Sequence, residues 1–154
     1  MKKIKIIGAI FLMLTLHFVA FSQNNNGSKA KLNHIAHYVV NLQTSTNFYM
    51  NIVGLDSIPE PFHDGRHTWL SIGYKSHLHL IQGAKDAAIL DKNSHLCFSV
   101  ESVADFIKVL DKNKIAYENW AGDKMTVTKR VDGVQQIYFK DPDGYWIEIN
   151  DAKN

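Results

Sequence analysis

The chain has 154 residues, 17 Lys and Arg against 15 Asp and Glu, a net charge of +2, and 45% hydrophobic residues. That length suits one compact domain with a real core, and the charge offers no basic surface for nucleic acid. The single cysteine, Cys97, excludes an internal disulfide.

Residues 1–22 read as a secretory signal peptide. Lys2, Lys3 and Lys5 make a positive start, Ile6 to Phe21 is mostly apolar, and Ala20-Phe21-Ser22 sets small residues before a cut at Gln23. The apolar run is shorter than the roughly 20 residues of a spanning helix. Cleavage leaves 154 − 22 = 132 residues with 14 basic against 15 acidic, a net −1, because the three lysines leave with the signal. The protein is therefore expected to be exported, periplasmic or extracellular, with no membrane attachment afterwards. Residues 23–30 are polar and read as a flexible leader.

Residues 32–40 alternate as a strand. Ser45 to Ile52 places Phe48, Tyr49 and Ile52 at helical spacing, with Gly54 as the stop. Leu55–Ile58 is a short strand, Pro59–Gly65 a loop, and His67–Tyr74 and His77–Gln82 are strands around Lys75-Ser76. Gly83–Asn93 links to a second half of the same order: a strand at His95–Val100, a helix through Val103, Phe106, Ile107 and Leu110, and a short strand at Ile115–Tyr117. A long loop over Glu118–Gly133 then leads to strands at Gln135–Phe139 and Trp146–Asn150 around Asp141-Pro142-Asp143-Gly144.

The halves repeat at 95 − 34 = 61 residues. Asn33-His34-Ile35 answers Ser94-His95-Leu96, and Leu78-His79-Leu80-Ile81 answers Ile147-Glu148-Ile149-Asn150. Each half is a β-α-β-β-β module, over 31–83 and 94–151, and such a period suits a duplicated module. Residues two apart in a strand share a face. His34, His79, His95 and Glu148 therefore all lie on the more polar face of their strands, opposite Ile35, Leu80, Leu96 and Ile149. The fold class is α+β: two βαβββ modules forming a cupped, mixed but mostly antiparallel eight-stranded sheet, helices outside. Three imidazoles and one carboxylate, two per module, read as a site for one divalent metal. Zinc or nickel suits that donor set best, with iron or manganese as alternatives. His37 falls on the opposite face and reads as structural. His77 shares the ligand face, offset by two residues, and His63 and His67 read as surface. Cys97 reads as a buried thiol near His95 rather than a nucleophile.

Phe139-Lys140-Asp141-Pro142-Asp143-Gly144-Tyr145-Trp146-Ile147-Glu148 resembles the closing strand of the vicinal oxygen chelate superfamily, which includes glyoxalase I, methylmalonyl-CoA epimerase, fosfomycin-resistance proteins and extradiol dioxygenases. Leu32-Asn33-His34-Ile35-Ala36, Asn47-Phe48-Tyr49 and Val53-Gly54-Leu55 resemble its opening. The resemblance covers residues 31–151, and the four metal-ligand positions match His34, His79, His95 and Glu148. It also implies a homodimer, in which the site lies either within one chain or between two, His34 and His79 of one chain then meeting His95 and Glu148 of the other.

Position 79 departs from the pattern: glyoxalase I resembles a glutamate there and the epimerase a glutamine, while in ring-cleaving dioxygenases the position is usually not a ligand. Histidine there argues against the dioxygenase. Glu148, the one anionic ligand, is the first candidate for a catalytic base and His79 the second. Arg66, Trp69, Trp120 and Met125 are candidates for contact with a small-molecule substrate. The expected activity is a lyase or isomerase that stabilises an enediolate of a small oxygenated compound, closest to glyoxalase I. A metal-dependent thiol transferase of the fosfomycin-resistance type and a non-enzymatic binding protein of the bleomycin type are the alternatives.

Overall fold

A computed structural model describes residues 29–153. The expected signal peptide and all but the last two residues of the leader lie outside that range. The strands and helices below all fall in a compact unit spanning Leu32–Asn154. Among the described residues no helix is long and apolar enough to cross a membrane.

Module 1 consists of β1 (His34–Val39), α1 (Leu42–Phe48), β2 (Ser57–Ile58), β3 (His67–Ser71) and β4 (His77–Gln82). Asn41 starts α1 by accepting from the Thr44 amide at 2.9 Å. The helix therefore begins three residues before the first residue the apolar spacing marks. It then widens into a π-helical turn over Tyr49–Val53, closed by Gly54 at φ 87°. Module 2 consists of β5 (His95–Ser99), α2 (Val103–Lys112), β6 (Thr128–Lys129), β7 (Gln135–Lys140) and β8 (Trp146–Asn150). Ser102 caps α2, which buries Val103, Phe106 and Leu110.

Each module is thus βαβββ, and each forms a four-stranded mixed sheet, β1-β4-β3-β2 and β5-β8-β7-β6. The only parallel pairings among these strands are β1 with β4 and β5 with β8. The registers repeat as the sequence does: Ala36 lies opposite His79, and Cys97 opposite Glu148.

The second module departs from the expected order at its short strand. Ile115–Tyr117 forms no ladder; Glu118 alone meets Tyr138 in an isolated bridge, and β6 pairs with β7 ten residues later at Thr128 and Lys129. The apolar side chains there serve the core instead: Tyr117 is buried and Ile115 packs on the same cluster. That cluster joins both modules, with Val39, Leu70, Leu78 and Leu80 of the first and Ile137, Phe139, Ile147 and Ile149 of the second, all essentially fully buried. Truncating one of these to alanine costs about 2–5 kcal/mol.

The turn Asp141–Gly144 is more than a hairpin turn, because it clasps module 1. Asp143 accepts from the Val40 amide at 2.7 Å and from the Ser45 hydroxyl at 2.5 Å. Tyr49 donates its hydroxyl to Asp141 at 2.7 Å, and His37 Nδ1 lies 3.0 Å from the same hydroxyl oxygen. The His37 ring stacks on Tyr145 at 3.7 Å. Burial lowers the His37 pKa to about 4. Burial likewise raises Asp141 to about 6, against the pull of the Tyr49 and backbone hydrogen bonds. Gly144, at φ 87°, is required here, since a Cβ would run into the Ala88 backbone.

Candidate functional site

The face of the module 1 sheet opposite the core carries a column of rings. His79, on β4, is buried at 9% exposure. It stacks on His34 at 4.2 Å between ring centroids, planes 6° apart, and on Trp69 at 4.1 Å and 4°. Trp69 sits directly across the β3–β4 ladder from His79. His77 also leans on Trp69, at 5.9 Å. His34 Nδ1 lies 2.8 Å from the Asn33 side-chain oxygen. That oxygen can only accept, so Nδ1 carries the proton and Nε2 presents a lone pair. His79 Nε2 and Trp69 Nε1 are buried without a hydrogen-bond partner. Burial first, then the neighbouring imidazoles His34, His77 and His67, hold His79 below its ordinary pKa of 6.5, so it is neutral at pH 7.

Module 2 presents the matching face in three cross-strand rows: Lys140, Trp146 and His95; Tyr138, Glu148 and Cys97; Gln136, Asn150 and Ser99. Glu148 is the centre. Its Oε2 accepts from the Tyr138 hydroxyl at 2.5 Å, and its Oε1 from Asn150 at 2.9 Å and from the Cys97 thiol at 3.3 Å. Burial opposes its ionisation, but the bonds from Tyr138, Asn150 and Cys97 and the nearby His95 outweigh it and leave the carboxyl below its ordinary value. His95 Nδ1 bonds the Lys92 carbonyl at 2.7 Å, which leaves a lone pair on Nε2. That Nε2 lies 3.3 Å from Glu148 Oε2. The imidazole nitrogen and the carboxylate oxygen converge, a geometry suited to sharing one cation.

The four ligand candidates thus fall into two pairs at equivalent ladder positions. Among the described residues, no group of three or more His, Cys, Asp or Glu side chains lies close enough to hold a metal. His37 is buried in the clasp, as its face implies. His67 is not a free surface residue: its ring is bonded to Asp64 at 2.8 Å and packs on Phe62. Cys97 is not in the core; the residue is exposed on the open sheet face. Burial of the sulfur itself, then the Glu148 carboxylate, pushes the thiol up to about 12, which leaves it unreactive.

The substrate candidates divide. Trp69 stacks on His79, and half-exposed Trp120 lies 5.7 Å from the Tyr138 ring, so each stands beside a central residue. Arg66 is tied by its guanidinium to the Gln82 carbonyl at 3.1 Å. Met125 is half exposed, in a left-handed backbone conformation at φ 53°. Tyr138 and Asn150, which grip Glu148, are absent from the sequence-based set. The alternation of β7 and β8 places them on the polar face, but only the ladder register sets Tyr138 opposite Glu148. Lys92 is likewise new: it pairs with buried Glu118 and lies over the Tyr138 and Trp146 rings.

Comparison with known proteins identifies the family and the fold. The profile of the Glyoxalase/Bleomycin resistance protein/Dioxygenase superfamily matches residues 31–149. The chain belongs to this superfamily. It is 30% identical over 125 residues to "Glyoxylase I 4" of Arabidopsis thaliana, an alignment covering 77% of this chain and 68% of that protein. Among solved structures, a glyoxalase/dioxygenase from Nostoc punctiforme matches with a TM-score of 0.66 at 23% identity, over 88% of this chain and 97% of that one. Lactoylglutathione lyase from Agrobacterium tumefaciens matches with a TM-score of 0.59 at 17% identity, over 81% and 96%. At these identities the solved structures speak for the fold, which the superfamily uses for more than one chemistry.

Proposed function

We propose that the protein is an exported, metal-dependent lyase or isomerase of the glyoxalase I kind. It would move a proton from the carbon beside a carbonyl of a small oxygenated compound. The observation that carries the reading is the pairing just described: two half-sites in equivalent registers, each with an imidazole, His34 or His95, whose Nδ1 is bonded elsewhere. The name of the Arabidopsis relative supports the same reaction class, and the signal-like residues 1–22 support export.

The donor set fits a borderline divalent cation such as zinc or nickel. His79 Nε2 is a buried ring nitrogen without a hydrogen-bond partner, and His95 Nε2 faces Glu148 across 3.3 Å. His34, His79, His95 and Glu148 would hold the ion. Because they come in pairs, the site is completed when module 1 of one chain meets module 2 of a second in a homodimer. Bound there, the metal would polarise the substrate carbonyl and make the neighbouring carbon more acidic.

Glu148 is the base. Tyr138 and Asn150 keep its carboxylate ionised and aimed, and they return it to the same place after each proton transfer. His79, neutral and stacked on both faces, holds its ring plane and serves as a ligand. Wash-in of deuterium from heavy water tests this on a panel of hemithioacetals, 2-oxoaldehydes and 2-substituted acyl thioesters. Glu148→Gln should abolish exchange while leaving substrate binding within a few-fold, and His79→Gln should be milder. No exchange with any of them, in fully metal-loaded protein, would overturn the reaction class.

A further inference from the structure

The duplicated ladder sets an aromatic residue with a polar tip opposite each central residue: Trp69 opposite His79, and Tyr138 opposite Glu148. The two tips have different fates. The Tyr138 hydroxyl donates to Glu148 at 2.5 Å. The Trp69 indole lies flat on the His79 ring, so its N–H does not bond the imidazole, and Nε1 is buried with no partner at all. A buried donor without an acceptor costs about 1–3 kcal/mol, and native folds leave few of them. Here the unpartnered donor stands one ring away from another unpartnered buried nitrogen, His79 Nε2. Phe62, which packs edge-on to Trp69 at 6.1 Å, adds only hydrocarbon. Nothing polar on β2, β3 or β4 answers the indole.

We infer that the Trp69 N–H is a substrate-binding donor. It takes an acceptor oxygen, a carbonyl or carboxylate, of the compound handled by the site proposed above, and the inference rests on that metal reading. An indole N–H only donates, so it selects an oxygen that carries lone pairs and accumulates negative charge. Trp69 thereby becomes a specificity residue of module 1, the counterpart of a contact that module 2 uses internally. The substrate class narrows accordingly to compact 2-oxo or 2-hydroxy carbonyl compounds, with one oxygen for the metal and a second for the indole.

The test uses the full mature chain loaded with Ni(II), and acetohydroxamate as the probe. Trp69→Phe keeps a ring on His79 and removes only the donor. Ni(II) affinity should stay within about twofold of wild type, while acetohydroxamate affinity falls roughly tenfold, the worth of one hydrogen bond. In parallel, the indole N–H resonance of wild-type Trp69 should move downfield and exchange more slowly on adding the probe, a readout that does not depend on the variant folding. Unchanged probe affinity in Trp69→Phe, or an indole resonance that ignores the probe, overturns the role of Trp69 alone. Failure of the wild type to bind Ni(II) overturns the metal reading and this inference with it.

Discussion

In module 2 the carboxylate of Glu148 is gripped by donors from three strands, Tyr138 of β7, Asn150 of its own β8 and Cys97 of β5. In module 1 the equivalent His79 touches only the faces of rings, and its Nε2 has no partner. The scaffold and register are the same; the difference is chemical. An anion in a buried site needs donors to stay charged, whereas a neutral imidazole needs only to be held flat. Duplication has thus yielded one half-site that fixes a charge and one that leaves lone pairs and a donor open.

The largest effect should come from removing the anion. Glu148→Ala strands Tyr138 and Asn150 and should lower stability by about 3 kcal/mol in urea unfolding. His79→Ala loses stacking and should cost about 1 kcal/mol. Equal costs for the two would erase the asymmetry between the modules.

The clasp between the modules gives the next effect. His37 titrates at about 4 in the fold against an ordinary 6.5, so its contribution to stability is present above pH 6.5 and is lost as the pH falls toward 4. Asp141 works the other way. Its folded value of about 6 exceeds the ordinary 3.8, so acidification through that window favours the fold. In the wild type the two slopes nearly cancel. Asp141→Asn leaves only the His37 slope and should lose about 2 kcal/mol more than wild type between pH 7 and pH 4. Parallel pH curves for the two proteins would show that the clasp does not titrate in this way.

The smallest effect concerns Cys97. Its thiol, held up at about 12 by burial and then by Glu148, should react slowly with iodoacetamide at pH 8, and Glu148→Gln should speed that reaction by a few-fold. A fast wild-type reaction would mean that the carboxylate is not gripped as described.

Much of this was legible in the sequence, where alternation fixes the geometry. The polar faces and the matched placement of His34 with His79 and of His95 with Glu148 follow from period-two patterning and the 61-residue repeat, and β4 and β8 have the bounds that the pattern marks. The start of α1 was hidden because Asn41 sets it through a hydrogen bond, not through apolar spacing. β6 was misplaced because Ile115 and Tyr117 are apolar to fill the core and not to build a ladder. The reach of Asp141 and Asp143 into module 1, and that of Tyr138 to Glu148, depend on register between distant strands, which no local pattern encodes.

The most direct test of the central claim, a metal site assembled from pairs on two chains, is metal content after mixing two variants. His34→Ala and Glu148→Ala should each bind essentially no Zn(II) or Ni(II) alone. Unfolded together and refolded as a one-to-one mixture, they should regain roughly a quarter of the wild-type sites. Half of the dimers are then mixed, and each mixed dimer holds one intact site of two. Full metal content in either variant alone, or no recovery in the mixture, would contradict the account.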